Sequence, residues 1–233
     1  MQKNTYVLSL GGSLIAPSPA GTLNTEYLAR FRATLRPFLE DGHRFFIIAG
    51  GGKTARLYQN TLEELTSPPN DTLDWMGIYA THLNSHLIRM LFSEYAYPEI
   101  ITSPFQEYHY GKEHQIIVSG GWHPGNSTDF VATSLAGEND VGFVLNLSNI
   151  QYAYTKDPDT YEDAEPIYDM TWEEFQELVG DEWTPGSSVP FDPAASRRAH
   201  DLGLEVRLLD GENLENFTQF LHTGEAEGTR IHP

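Results

Sequence analysis

The sequence contains no cysteine, which excludes disulfide bonds and thiolate metal sites. It has no apolar run long enough to span a bilayer. Its first residues, MQKNTYVLSLGGS, show neither the long apolar stretch nor the small-residue cleavage site of an export signal. The histidines, among them His82, His86, His109 and His114, lack the spacing of a metal site. These absences predict a cytoplasmic protein with no membrane segment and no metal ion held by its own side chains.

Basic residues are scarce. There are 14 Lys and Arg against 33 Asp and Glu, which gives a formal net charge of −19. Because binding to duplex nucleic acid depends on a basic surface that neutralises phosphates, nucleic acid is excluded as the main partner. The acid excess itself favours solubility and carries no information about the fold. A site for phosphate groups would have to concentrate the few cations locally.

What the sequence does contain is an alternation of strand-like and helix-like segments, typical of an α/β fold with a mostly parallel sheet. No repeat or long linker interrupts it, so a single domain over 1–233 is expected. Strands are predicted at 6–10, 44–49, 115–118, 141–146 and 205–209, with a hairpin strand at 151–154 and a final edge strand at 228–231. Helices are predicted at 25–40, 53–65, 72–92, 128–136 and 192–202, and a capping box opens another at Thr171.

Glycine clusters follow three of the predicted strands: Gly11-Gly12, Gly50-Gly51-Gly52 and Gly120-Gly121. Glycine lets backbone N–H groups approach a ligand closely, and ligands collect at the carboxyl ends of strands in open α/β sheets. One such loop could be an ordinary turn, but three converging loops indicate a site for a long polyanionic ligand. The P-loop pattern GxxxxGK[ST] and the dinucleotide pattern GxGxxG are both absent.

Two cations follow the second cluster directly. Lys53 and Arg56 are three residues apart, so they share one face of a helix that begins near Lys53. They are either solvated surface cations or phosphate ligands. Their position after three glycines, in so acidic a chain, favours phosphate contact.

At this point the motifs resemble those of the amino acid kinase superfamily and, within it, of the uridylate (UMP) kinases of archaeal type. The resemblance covers essentially the whole chain and keeps the motif order. The segments that carry it are LGGSL, GGGKTAR, DWMGIYATHLN, GGWHPGNSTDFVA, SNIQYAYTKDP, GSSVPFDPAA and the terminal GTRIHP.

The resemblance implies a three-layer αβα sandwich with an N-terminal acceptor-binding lobe at about 1–140 and a C-terminal ATP-binding lobe at about 141–233. It also implies ATP-dependent, Mg²⁺-assisted phosphorylation of UMP to UDP, a step of pyrimidine nucleotide biosynthesis, in a cytoplasmic and hexameric enzyme.

Carried onto the matching positions, the resemblance implies three groups of site residues. The ATP-binding residues would be Gly12, Ser13, Gly52, Arg56, Ser148, Asn149, Tyr154 and Asp157. The acceptor-binding residues would be Gly51, Asp74, Trp122, His123, Pro124, Gly125, Asn126, Ser127 and Thr128. The catalytic residues would be Lys53, Arg56 and Asp129, with Asp129 orienting the catalytic cations. Taken without the resemblance, Asp74 and Asp129 are equally well read as acids at helix starts.

The chain departs from the family pattern at several positions. Ser9 stands where many members have a lysine, and either Lys53 or Lys156 could replace that charge. Gln151-Tyr152 replaces Asp-Gly in the ATP loop, and Trp122, Asn126 and Ser127 replace Thr, His and Thr in the acceptor loop. These departures leave two alternatives: a non-catalytic relative that binds a nucleotide or oxyanion as a sensor or store, and a kinase of the same fold with another small acceptor.

Overall fold

The computed structural model describes residues 5–18, 21–158, 160–179 and 190–233, and it is built on an eight-stranded sheet. Along the sheet the order is β3-β4-β2-β1-β5-β9-β10-β8. These strands are β1 (Thr5–Leu10), β2 (Arg44–Ala49), β3 (Ala96–Ile101), β4 (Ile116–Ser119), β5 (Phe143–Ser148), β8 (Asp169–Thr171), β9 (Glu205–Asp210) and β10 (Thr229–His232). Neighbours are parallel except for β9 and β10. The predicted mostly parallel sheet is confirmed.

Two shorter strands, β6 (Ala153–Tyr154) and β7 (Pro166–Ile167), form a separate antiparallel pair. The hairpin predicted at 151–154 is therefore present. The eight helices in the described part of the chain are α1 (Gly12–Ile15), α2 (Thr25–Glu40), α3 (Gly52–Thr66), α4 (Asn70–Leu91), α5 (Thr128–Glu138), α6 (Trp172–Val179), α7 (Pro193–Asp201) and α8 (Leu214–Thr223).

Helices cover both faces of the sheet, as strand periodicity requires. Successive side chains of a strand point to opposite faces. Leu8 of β1 packs with α2 and α8, whereas Val7 packs with α5, α6 and α7 on the other face. Strands buried on both faces read as continuous apolar runs, which is why RFFIIA and TYVLSL show little alternation. The three-layer αβα sandwich is confirmed.

The helix starts follow ordinary capping chemistry. Ser127 accepts a hydrogen bond from the N–H of Phe130 at 3.1 Å, and Asp192 caps α7 with Pro193 in its first turn. The side chains of Thr171 and Glu174 exchange hydrogen bonds with each other's backbone N–H, so the predicted capping box opens α6. None of the helices of the described segments is long and apolar enough to cross a membrane.

One strand assignment was wrong. The final strand, β10, does not lie at an edge: it pairs antiparallel with β9 and parallel with β8, so β8 forms that edge. β8 has only three residues, Asp-Met-Thr, which is too short to show periodicity in the sequence.

Candidate functional site

The first two glycine loops meet at the carboxyl ends of β1 and β2 and pack backbone against backbone. A Cβ added to Gly12 would lie 2.0 Å from the nitrogen of Gly52, and one added to Gly52 would lie 2.2 Å from the oxygen of Gly12. Gly52 also has a φ of +60°, which L side chains adopt only with strain. Both positions therefore need glycine, and the contact brings the first residues of α1 and α3 together.

Helix α4 ties the second and third glycine loops together through buried polar side chains. Asn84 donates hydrogen bonds from Nδ2 to the carbonyl oxygens of Gly50 at 2.8 Å and Gly51 at 3.3 Å. Thr81 accepts a hydrogen bond from the N–H of Gly121 at 2.6 Å. Both residues belong to the motif DWMGIYATHLN, but the motif alone predicts no role for either. The signal was available, because Thr81 and Asn84 are polar residues three apart on the face of α4 that is buried against the sheet.

A cavity of about 490 Å³ opens at the first two glycine loops, and the third loop, at Gly120-Gly121, does not line it. It brings together ten of the residues singled out from the sequence: Gly12, Ser13, Gly52, Lys53, Arg56, Ser127, Thr128, Asp129, Ser148 and Asn149. Ser9, Asn146 and Asp192 line the same cavity. The site lies at the carboxyl ends of β1, β2 and β5, where an open α/β sheet collects its ligands.

Lys53 and Arg56 provide the positive charge of this cavity. Both lie in the first turns of α3, and neither has an ion-pair partner among the residues that the structure describes. Most other described cations are paired, as Arg36 is with Glu40 at 2.7 Å. In a chain of net charge −19, two unpaired cations beside a helix N-terminus form a site suited to an anion.

Asp129 is held at the bottom of the cavity by donors on two neighbouring strands. Its Oδ1 accepts hydrogen bonds from Ser9 Oγ at 2.8 Å and from Asn146 Nδ2 at 3.1 Å. The pKa of the Asp129 carboxyl is raised to about 6, mainly because the group is buried. The nearby charge of Asp192 also raises this pKa, whereas the hydrogen bonds from Ser9 and from the backbone of Asp192 lower it. Asn146 was not singled out from the sequence.

The loop 122–128 lies between the cavity and the start of α4. The N–H of Gly125 donates a hydrogen bond to Asp74 Oδ2 at 2.9 Å. The ring of Trp122 stacks on Phe130 at a centroid distance of 6.2 Å, and His123 meets Trp75 edge-on at 5.9 Å. Within the loop, Asn126 Nδ2 contacts the carbonyl oxygens of its neighbours His123 and Pro124, both at 3.4 Å. The structure thus brings Asp74 to this loop, while Gly51 lies beside α4 at Thr81.

Of the residues predicted for the ATP side, Ser148 and Asn149 line the cavity, and Ser13 Oγ donates to Asn149 Oδ1 at 3.4 Å. Tyr154 and Asp157 do not line it. Tyr154 belongs to β6, and the exposed Asp157 accepts a hydrogen bond from Thr160 at 2.9 Å. Lys156 forms an ion pair with Asp163 at 2.5 Å and does not line the cavity, so of the two lysines considered as replacements for the charge missing at Ser9, Lys53 is the one at the cavity. The GSSV part of the motif GSSVPFDPAA, at 186–189, lies outside the described residues.

A three-layer α/β fold with converging glycine loops and unpaired cations defines a class of proteins built to bind phosphorylated small molecules at the carboxyl end of a sheet. The chain belongs to the amino acid kinase family, whose model matches residues 4–210.

Within that family the chain is similar to uridylate kinases. It is 32% identical over 225 residues to the uridylate kinase of Methanocaldococcus jannaschii, covering 94% of this chain and 96% of that protein. It is 30% identical over 228 residues to that of Methanococcus maripaludis, covering 97% and 99%. The crystal structure of the uridylate kinase from Archaeoglobus fulgidus superposes with a TM-score of 0.82 at 26% identity, covering 98% of this chain and 99% of that one.

Proposed function

We propose that the protein is a uridylate kinase that transfers the γ-phosphoryl group of ATP to UMP, giving UDP and ADP in pyrimidine nucleotide biosynthesis. The observation that carries this proposal is the meeting of two glycine loops with the unpaired Lys53 and Arg56 in one cavity. The similarity of the chain to uridylate kinases, which covers nearly its whole length, supports the same proposal.

The residues of the cavity can align two phosphate groups and stabilise the charge that develops during phosphoryl transfer. A phosphate oxygen of UMP attacks the γ-phosphorus as the bond to the β–γ bridging oxygen breaks, so catalysis consists mainly of alignment and charge stabilisation. Backbone amides around Gly12 and Gly52 and the hydroxyl of Ser13 hold the ATP phosphates. Lys53 and Arg56 stabilise the charge that develops between donor and acceptor. Asp129 orients these cations.

The acceptor occupies the side of the cavity next to the loop 122–128. In this arrangement Asp74 binds the ribose hydroxyls of UMP, Gly51 faces its phosphate, and Ser127 and Thr128 supply hydroxyl groups. The adenosine of ATP lies on the other side, against Ser148 and Asn149 and towards Tyr154 and Asp157.

The order of strands supports the corresponding two lobes. The four strands before residue 140 form one half of the sheet, and the four after it form the other half. The boundary between β1 and β5 passes through the cavity, so residues of both lobes line it.

Mg²⁺ fits this site as an ion that enters with the nucleotide. The carboxylates that line the cavity already accept hydrogen bonds from the chain: Asp129 as described, and Asp192 from the backbone N–H of Ala194 at 2.5 Å and of Ala195 at 3.2 Å. Mg²⁺ retains water and binds phosphate oxygens readily, so it needs few protein ligands. When bound it would neutralise phosphate charge, and the hydroxyl of Ser13, which lines the cavity, would be an uncharged ligand for it.

An oligomer, expected to be a hexamer, is also part of the proposal. From Trp75 to Ser93 the chain has no acidic residue, although acids make up 33 of its 233 residues. On this segment of α4 the side chains of Tyr79, Leu83 and Met90 are 59%, 62% and 61% exposed. An apolar, acid-free helix face on a highly acidic protein is suited to burial against a second copy.

The test is a coupled assay for ADP formation with ATP, Mg²⁺ and a panel of nucleoside monophosphates and small carboxylates. Wild-type protein should turn over UMP in preference to the other acceptors. Arg56→Ala should reduce kcat by roughly 100-fold, since it removes one charge from the transfer site. Arg32→Ala, which removes a guanidinium from the exposed face of α2, is the matched control and should leave kcat unchanged.

Turnover of a different acceptor would replace UMP in the proposal. Binding of ATP or UMP without turnover on any acceptor would instead establish the non-catalytic relative, with Ser9 and Gln151-Tyr152 as the residues to examine.

A further inference from the structure

Ser9 and Asn146 are buried polar residues on the face of β1 and β5 that is turned towards α5, near the site end of both strands. They are direct cross-strand partners in the parallel pair of β1 and β5. Two residues earlier on each strand, Val7 and Val144 point to the same face and are fully buried in its apolar core. The two-residue period of a strand therefore calls for apolar side chains at both positions, yet the chain has a hydroxyl and an amide there.

Both side chains are buried and both donate to one atom. Ser9 is 4% exposed and Asn146 is 5% exposed. The Ser9 hydroxyl and the Asn146 amide each donate to Oδ1 of Asp129, at 2.8 and 3.1 Å. Burying two polar groups is unfavourable unless each is hydrogen-bonded, and here the same carboxylate oxygen serves both. The two strands thereby fix that oxygen against the sheet.

This arrangement determines which charges surround Asp129. Both side-chain donors are neutral, and the ionisable groups that line the same cavity are Lys53, Arg56 and Asp192. Among the described residues no cation is hydrogen-bonded to Asp129. The hydrogen bonds from Ser9 and from the backbone of Asp192 lower the pKa of Asp129 against the effect of burial, and Asn146 places a second side-chain donor on the same oxygen. The carboxylate lines the cavity together with the two cations of α3.

We propose that Ser9 and Asn146 are positioning residues, a donor pair that holds Asp129 ionised and correctly oriented to align Lys53 and Arg56 for phosphoryl transfer. In this role the pair acts through Asp129. The inference rests on the proposed function, and it assigns to Asn146 a role that neither the sequence motifs nor the family relationship supplies.

The decisive variant is Asn146→Leu, which keeps the size of the side chain and removes the donor. We expect kcat to fall roughly 10- to 100-fold, because a hydrogen bond to a charged group is lost. We expect the KM values for ATP and UMP to change by less than about threefold, since ground-state binding is untouched. The acid limb of the kcat profile should move to higher pH. Ser9→Ala should act in the same direction, and the double variant should show less than the sum of the two effects.

A second measurement is independent of activity. The carboxyl carbon of Asp129, labelled with ¹³C and assigned by its loss in Asp129→Asn, is titrated in the substrate-free protein. Its pKa should rise in Asn146→Leu and in Ser9→Ala. Asn216→Leu is the control: Asn216 is also buried and hydrogen-bonded, to the backbone of Glu227, but it does not line the cavity. It should lower the melting temperature without changing the titration or kcat.

If Asn146→Leu leaves the Asp129 titration and the kcat profile as in the wild type, or loses activity only to the extent that Asn216→Leu does, the inference is wrong and Asn146 merely packs. A wild-type protein that makes no UDP would overturn the proposed function and, with it, the role of the pair in transfer. That result can be distinguished from a failure of the inference itself, because the titration of Asp129 shows whether Ser9 and Asn146 stabilise its ionised form even when no activity is found.

Discussion

Asp74 and Gly125 are 51 positions apart in the chain, yet the carboxylate of the first accepts a hydrogen bond from the backbone N–H of the second at 2.9 Å. The contact joins the first turns of α4 to the tip of the loop 122–128. Gly125 has a φ of +81°, a conformation that glycine adopts without strain. The loop proposed to hold the acceptor is thus closed by a residue that is itself proposed to bind the acceptor.

The first prediction follows from this contact. Asp74→Ala should raise the KM for UMP by roughly 10- to 100-fold, because it removes a charged acceptor from both the loop and the ribose. The KM for ATP should stay within about twofold of the wild type, since the ATP side is unaffected. Initial rates with each substrate varied in turn measure both values. Asp71→Ala, an exposed acid three residues earlier on α4, is the control, and an equal effect of both variants would contradict the role of Asp74.

The second prediction concerns Gly52. Gly52→Ala and Gly203→Ala place alanine at nearly the same backbone angle, +60° and +64°, but only at Gly52 does the new Cβ meet backbone, 2.2 Å from the oxygen of Gly12. Gly203→Ala should reduce the free energy of unfolding by about 1 kcal/mol, because alanine is strained in the left-handed conformation, and this lowers the melting temperature by ~2–4 °C. Gly52→Ala should reduce the free energy of unfolding by at least twice as much, and it should also abolish ATP binding. Thermal melts with and without ATP compare the two, and equal melting temperatures would show that the loops are not in contact.

The third prediction concerns pH. Since the pKa of Asp129 is raised to about 6 in the folded protein, the folded state keeps its proton between about pH 4 and 6, where the unfolded chain has already lost it. The contribution of Asp129 to stability therefore becomes less favourable as pH rises through this window and is constant above it. The free energy of unfolding of Asp129→Asn, relative to wild type, should accordingly increase between pH 4 and 7.

The expected increase is on the order of 1–2 kcal/mol, allowing for solvent in the cavity. Urea unfolding at several pH values measures it. Asp71→Asn, another acid in the first turn of a helix but exposed, should show no such increase. A relative stability of Asp129→Asn that is flat with pH would contradict the raised pKa. The same variant should lose most of its kcat.

The fourth prediction tests the exposed face of α4. Leu83→Glu should reduce the molecular mass in solution, because an acid is placed on an apolar face proposed to lie between copies. Light scattering after size exclusion measures the mass. Leu23→Glu alters an exposed leucine elsewhere and should leave it unchanged. A monomeric wild type, or an unchanged mass in Leu83→Glu, would contradict this part of the proposal.

The sequence predicted best where the local signal and the tertiary structure agree. Strands β1 and β2 are apolar runs bounded by glycine, and α2 has a regular apolar face, so their limits were placed within a residue of those observed. Strand β3 was missed because AYPEII contains Pro98 and Glu99. Proline is tolerated there because β3 is an edge strand. Helix α8 was also missed, although Asn213 and Gly224 cap it at its two ends.

Some residues of the candidate site could likewise be predicted from the sequence and others could not. The glycine clusters after strands predicted the cavity, because a backbone approach as close as that of Gly12 and Gly52 leaves no room for a Cβ. Asn146 could not be predicted, because its importance depends on the register of β1 against β5 and on the placement of α5 over both. A sequence does not display which residues become cross-strand partners across more than 130 positions.

The close contact between Gly12 and Gly52 also determines how a nucleotide would be received. The backbone N–H groups of Gly11, Gly50 and Lys53 are already bonded to the carbonyl oxygens of Leu147, Leu10 and Ala16, at 2.8–2.9 Å. These loops are therefore ordered before any ligand arrives, and binding there costs little conformational entropy. Encounter with a triphosphate would then be limited by diffusion and by release of water from the amides, with no slow folding of a loop around the phosphates.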